Sequence, residues 1–207
     1  DVAGVRRALD AAGHPALLFV DGVSSIGCID FRMEEWGVDL AVTGSQKGLM
    51  LPAGLGILGV SRKALEASKT ATHRRAYFHL GDMVAMNATG YFPYTPPTQL
   101  LHGLAAALAR IDAEGHETIV ARHRRLAEGV RRGVAAWGLE LCAENPGEYS
   151  DTVSAIRTPE GVDSRDVIRI AFERYNTAFG SGLSQLAGKV FRIGHIGDFS
   201  EGMVLTA

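Results

Sequence analysis

The sequence predicts an α/β fold: a mostly parallel sheet layered with helices, followed by a smaller α+β region. Three observations carry this. Ala16 to Val20, Asp39 to Thr43 and Leu55 to Val60 are short runs that stop at Asp, Gly or Ser. Runs of that length without polar alternation suit strands buried on both faces of a parallel sheet. Segments with helical apolar spacing lie around them, as in a layered α/β unit. After about residue 115 the order becomes helix, strand, strand, helix, strand, helix, the arrangement of an α+β unit.

Taken in order, Val5 to Ala12 reads as the end of an amphipathic helix, closed by Gly13 and Pro15. The run ALLFV follows and ends at Asp21. Met33 to Trp36 reads as a helical turn, then come the second and third strands. Ser61 caps a helix through Lys69. Residues 70–97 are expected to be irregular, because Pro93, Pro96 and Pro97 oppose a helix; a loop of that length is often functional. Thr98 caps a helix with Leu100, Leu101, Leu104, Leu108 and Ile111 at helical spacing, interrupted by Gly115. A second helix carries Ile119, Leu126, Val130, Val134 and Trp137, and Gly138 stops it. Strands are expected over 139–143, 152–158 and 190–193, a helix starts at Ser164, and Ser200 caps a last helix. The domain boundary is placed near 115, giving 1–115 and 116–207.

With 46% hydrophobic and 21% charged residues the chain is globular rather than disordered. A net charge of −2 leaves no electrostatic footprint for nucleic acid or anionic membrane. No apolar run approaches the ~18 residues of a membrane span. Cys28 and Cys142 lie far apart without metal-like spacing, and no Cys/His cluster suggests a metal. Free thiols and the lack of a signal peptide point to the cytoplasm. The chain opens at Asp1 in a helical pattern and stops at Ala207 inside another, so both ends are expected to be incomplete.

Three charged residues stand out. Asp21 closes a strand, where ligands of α/β sheets bind; a carboxylate there can hold a protonated pyridine nitrogen, or simply shape a turn. Lys47, in Gly44-Ser45-Gln46-Lys47-Gly48, follows the next strand in an apolar, Gly-rich loop. Partial desolvation there would free its amine as a nucleophile; a solvated loop lysine is the plainer alternative. Together the two converge a carboxylate and an amine on one side of the sheet. Arg192 lies in the strand Val190-Phe191-Arg192-Ile193-Gly194, where its charge needs a partner, either a substrate carboxylate or a structural Asp or Glu. His195, His102, His116 and His123 read as structural or surface residues.

The segments FVDGVSSIG, EEWGVDLAVTGSQKGLMLPAGLG, FPYTPPTQLLHGL and AGKVFRIGHIGD resemble the class V aminotransferases in order and spacing, most closely the serine–glyoxylate and alanine–glyoxylate members. The resemblance implies the type I fold of pyridoxal-phosphate enzymes, with 1–115 in the cofactor-binding large domain and 116–207 in the small α+β domain. It implies pyridoxal 5′-phosphate as cofactor, Lys47 as the Schiff-base lysine, Asp21 on the pyridine nitrogen and Val23 against the ring. Gln46 would serve the phosphate, and Thr95, with Tyr94, the phosphate of the partner subunit's cofactor. Arg192 would bind the substrate α-carboxylate. The implied reaction is transamination of a small amino acid with glyoxylate, serine giving hydroxypyruvate and glyoxylate giving glycine, in a homodimer. The family's ring-stacking aromatic and main phosphate loop are expected upstream of residue 1. Two alternatives stand beside this: a cysteine desulfurase or selenocysteine lyase of the same fold, which usually carries His before the lysine and a catalytic cysteine on a mobile loop, and a non-catalytic remnant. Gln46 and the placement of the two cysteines disfavour the first.

Overall fold

The computed structural model describes residues 1–206. The elements are α1 (Val2–Ala11), β1 (Phe19–Asp21), β2 (Leu40–Gly44), β3 (Gly56–Val60), α2 (Arg62–Thr70), α3 (Leu80–Asn87), α4 (Thr98–Glu114), α5 (His116–Ala136), β4 (Glu140–Leu141), β5 (Val153–Arg157), α6 (Ser164–Tyr175), β6 (Gly180–Ser181), β7 (Val190–Gly194) and α7 (Glu201–Thr206). They group into two compact units, Asp1–Ile26 with Phe31–Arg110, and Gly27–Asp30 with Ile111–Ala207. No helix among the described residues is long and apolar enough to cross a membrane.

The first unit holds a three-stranded sheet in the order β1-β2-β3. Strands β1 and β2 are parallel, with Phe19 beside Leu40 and Asp21 beside Val42. Strand β3 runs antiparallel to β2, from Leu40 beside Val60 to Gly44 beside Gly56. That corrects the expectation of parallel neighbours here. A parallel return needs a crossover of a dozen or more residues, usually a helix, and only a helix-free loop joins Gly44 to Gly56. Strand β1 is also shorter than the apolar run, and Phe19 is exposed rather than buried on both faces.

Leu18, Val38 and Ala41 form the core of this unit, with Val2, Leu9, Val20 and Trp36 packed around them. Asp39, just ahead of β2, is buried and ties the pieces together. Its carboxylate accepts from the Leu18 amide at 2.9 Å and the Ser61 hydroxyl at 3.2 Å, and faces Arg6 at 3.5 Å. Ser61 in turn caps α2, its hydroxyl accepting from the Ala64 amide at 3.1 Å. The stretch 70–97 is not wholly irregular, since α3 lies within it. The prolines at 93, 96 and 97 act only where they stand, beyond the end of α3. That helix has no side-chain cap and buries no residue, so it leaves little sequence signature.

In the second unit β4-β5-β7-β6 form an antiparallel sheet. Helix α5 buries Ile119, Leu126, Val130 and Val134, a stripe at helical spacing. Val130 and Val134 join Ile156, Phe191 and Ile193 in one core. Each such fully buried side chain contributes roughly 1.5–3 kcal/mol. Gly115, at φ 83°, separates α4 from α5 in a conformation that a side chain would strain. Strand β6 has only two residues, too few to be read from an apolar pattern.

Candidate active site

Because β1 and β2 are parallel, their carboxyl ends lie at one edge of the sheet. Asp21 is the last residue of β1, and Lys47 follows the end of β2. One Asp21 oxygen accepts from the Val23 amide at 3.0 Å, a turn that also fixes the backbone of Val23. Among the described residues neither Asp21 nor Lys47 has an ion-pair partner, and the two do not pair with each other. The chain has four lysines, Lys47, Lys63, Lys69 and Lys189. Lys63, Lys69 and Lys189 are exposed and Lys47 is half-buried. A half-buried lysine just past a strand end is placed to meet a ligand bound at that edge of the sheet.

The loop carrying Lys47 is built by the residue two places earlier. Ser45 is fully buried. Its amide donates to the Leu55 carbonyl at 3.0 Å and its carbonyl accepts from the Leu51 amide at 2.9 Å. Its hydroxyl donates to the Pro52 carbonyl at 2.7 Å and accepts from the Leu55 amide at 3.1 Å. Inside this clamp the Lys47 carbonyl accepts from the Met50 amide at 2.9 Å, and Met50 takes φ 60°. The loop docks on α4: a Cβ on Gly103 would come within 2.6 Å of Leu51, and one on Gly54 within 2.6 Å of Leu100. Gln46 is exposed, and its amide lies back over Gly44, where a Cβ would meet its Oε1 at 2.8 Å.

Tyr94 and Thr95 lie on an exposed stretch that also lines an open pocket with Tyr91, Phe92 and Leu101. The Tyr94 ring stacks on Tyr77 at 4.8 Å, and its hydroxyl accepts from the Tyr77 amide at 3.2 Å. In the second unit Arg192 sits on β7 between Ala155 of β5 and Gly180 of β6. It is half-buried, and Nε donates to the Ser181 carbonyl at 2.9 Å. A Cβ on Gly180 would lie 3.2 Å from that Nε, so the glycine leaves room for the guanidinium. Among the described residues no carboxylate pairs with Arg192.

The aminotransferase class-V family model matches residues 1–190. The chain belongs to the class V aminotransferases. It is 61% identical over 206 residues to the L-aspartate–glyoxylate aminotransferase of Paracoccus denitrificans, covering 100% of this chain and 52% of that protein. It is also 61% identical over 206 residues to the serine–glyoxylate aminotransferase of Hyphomicrobium methylovorum, covering 99% and 51%. The chain therefore spans about half the length of the curated relatives it matches. The crystal structure of pyridoxamine–pyruvate aminotransferase from Mesorhizobium loti superposes with a TM-score of 0.91 at 34% identity, over 99% of this chain and 53% of that one. The fold is thus the type I fold of pyridoxal-phosphate aminotransferases, and the family implies pyridoxal phosphate as cofactor.

The residues of this class V aminotransferase chain fit that cofactor. A pyridoxal phosphate needs a carboxylate for its ring nitrogen and a free amine for its aldehyde. Asp21 and Lys47 could supply one of each from neighbouring strand ends, and among the described residues neither has a competing ion pair. The cysteines are placed otherwise than a desulfurase requires: Cys28 is fully buried, and Cys142 is half-buried with its amide bonded to the Ala155 carbonyl. Burial pushes the Cys28 thiol upward, away from the reactive thiolate. Among the described residues no group of three His, Cys, Asp or Glu could hold a metal. Sequence reasoning passed over Ser45 and Asp39. A polar residue beside a strand end looks the same in sequence whether it is buried or wet.

Proposed function

We propose that this chain is the cofactor-binding part of a pyridoxal-phosphate transaminase that uses glyoxylate as amino acceptor. The observation that carries the proposal is the half-buried, unpaired Lys47 one strand away from the unpaired Asp21. When bound, pyridoxal phosphate supplies an aldehyde that exchanges amino groups and a ring that accepts the electron pair released at the substrate's α-carbon. Lys47 would hold the cofactor covalently and would hold and move the proton at the substrate's α-carbon. Asp21, oriented by the Val23 amide, would keep the ring nitrogen protonated. Val23 would pack on the ring, and Gln46 would hydrogen-bond the phosphate. Arg192, with Nε spent on Ser181 and its remaining donors unpaired by any carboxylate, takes the α-carboxylate.

Residues 1–115 are assigned to the large domain and 116–207 to the small one. The active form is a homodimer in the cytoplasm, in which Thr95 and Tyr94 reach the phosphate in the partner subunit. The exposed aromatic stretch around Tyr94 and the two unpaired cysteines support these readings; sedimentation of the full-length protein at twice the monomer mass is the check. Serine is the expected donor, giving hydroxypyruvate while glyoxylate becomes glycine. Aspartate is the second donor to test, because a relative at the same 61% identity is named for it. Full-length protein loaded with pyridoxal phosphate should form glycine from glyoxylate with serine. Glycine formation with aspartate alone would move the donor, and none with any amino acid would overturn the proposal.

A further inference from the structure

We infer that Ser45 is a positioning residue for Lys47: its buried hydroxyl sets where the lysine amine stands and so how well that amine transfers protons. The inference rests on the assignment of Lys47 above. A loop between two strands ordinarily keeps conformational freedom, which a reacting amine cannot tolerate. Here the freedom is removed at one residue. Four hydrogen bonds converge on Ser45, and they reach Leu51, Pro52 and Leu55 on the far limb of the loop. Lys47 lies inside that closed ring, on a turn whose Met50 takes φ 60°, unusual for a residue with a side chain. Such a conformation persists only where its surroundings over-determine it. Two of the four are backbone bonds, which close the base at Leu55 and tie Leu51 to the Ser45 carbonyl whatever the side chain. The hydroxyl bridges the Pro52 carbonyl and the Leu55 amide, which otherwise would lack a partner there, and so it fixes the far limb against the limb that carries Lys47. Leu51 seated against Gly103 of α4 anchors the same limb from outside.

The test uses full-length holoenzyme with Ser45→Ala, and with Ser45→Cys as a near-isosteric variant should the alanine protein fail to fold. A positioning role lowers kcat on the order of 10- to 100-fold per cofactor-loaded site while leaving KM for both substrates within about two-fold. It also displaces the pH midpoint of the lysine-bound cofactor's absorbance. The cysteine variant should lie between alanine and the native enzyme in both. A lowered melting temperature with unchanged kcat and unchanged pH midpoint, in whichever variant folds, would overturn the inference, because a merely structural serine moves only the first. Lys47→Ala run alongside separates the two ideas. If it loses the absorbance band while the Ser45 variants behave natively, only the positioning role fails. If it keeps the band, the assignment of Lys47 fails and this inference with it.

Discussion

One Asp21 oxygen accepts from the Val23 amide, and among the described residues no cation pairs with the carboxylate. Its replacement by Asn preserves shape and the turn but removes the charge that holds a pyridine nitrogen protonated. Asp21→Asn should therefore bind cofactor and lose on the order of 10²–10³-fold in kcat; near-native turnover would remove Asp21 from the reaction. Arg192 is the complementary case. Its fork can meet a carboxylate with two parallel bonds, which the point charge of lysine cannot reproduce. Arg192→Lys should cost on the order of 2–5 kcal/mol in kcat/KM with both the amino donor and glyoxylate, with cofactor absorbance intact. Loss of cofactor together with stability would mark a structural residue instead. These residues were legible in the sequence because each is a charge at or within an apolar strand. Ser45 was not, since its meaning lies in partners six to ten residues away that only the folded loop brings to it.

At the scale of elements, the junction of β1, β2 and α2 depends on Asp39. Asp39→Ala would leave the Leu18 amide and the Ser61 hydroxyl without their acceptor in a buried place. The expected loss is about 2–4 kcal/mol in urea unfolding. Lys63 also faces Asp39 at 3.5 Å, but its side chain is 51% exposed; Lys63→Ala should change stability by less than about 1 kcal/mol. Equal effects would show that the ion pair, not the hydrogen-bonded junction, governs the site. Element order was readable because apolar runs and helical spacing survive in one dimension. Strand direction was harder: GILGV is equally apolar run either way, and the informative feature was the helix-free segment between Gly44 and Gly56. Helix α3 escaped notice because a helix that buries nothing carries no stripe.

For the whole molecule, acid stability should report the second unit's buried histidines. His195 is fully buried, Nδ1 facing the Asp151 carbonyl at 3.0 Å and Nε2 the Ser154 hydroxyl at 3.1 Å. The carbonyl needs a proton on Nδ1, which leaves Nε2 to accept. Burial pushes this imidazole down from 6.5 to about 4, and burial lowers His123 as well. The unfolded chain thus takes up a proton before the folded one does. Stability is full above about pH 6.5 and falls as pH drops from there to about 4, by on the order of 3 kcal/mol for His195. His195→Gln should flatten that part of the stability curve; an unchanged slope would assign the acid sensitivity elsewhere.

The central claim is that one of four lysines carries the cofactor, and reductive trapping asks it directly. Full-length protein loaded with pyridoxal phosphate, reduced with borohydride and digested, should yield a single cofactor-bearing peptide by mass, modified at Lys47 within GSQKGLM. Modification of Lys63, Lys69 or Lys189 in its place, or no modified peptide from protein that shows the cofactor's absorbance, would contradict the account.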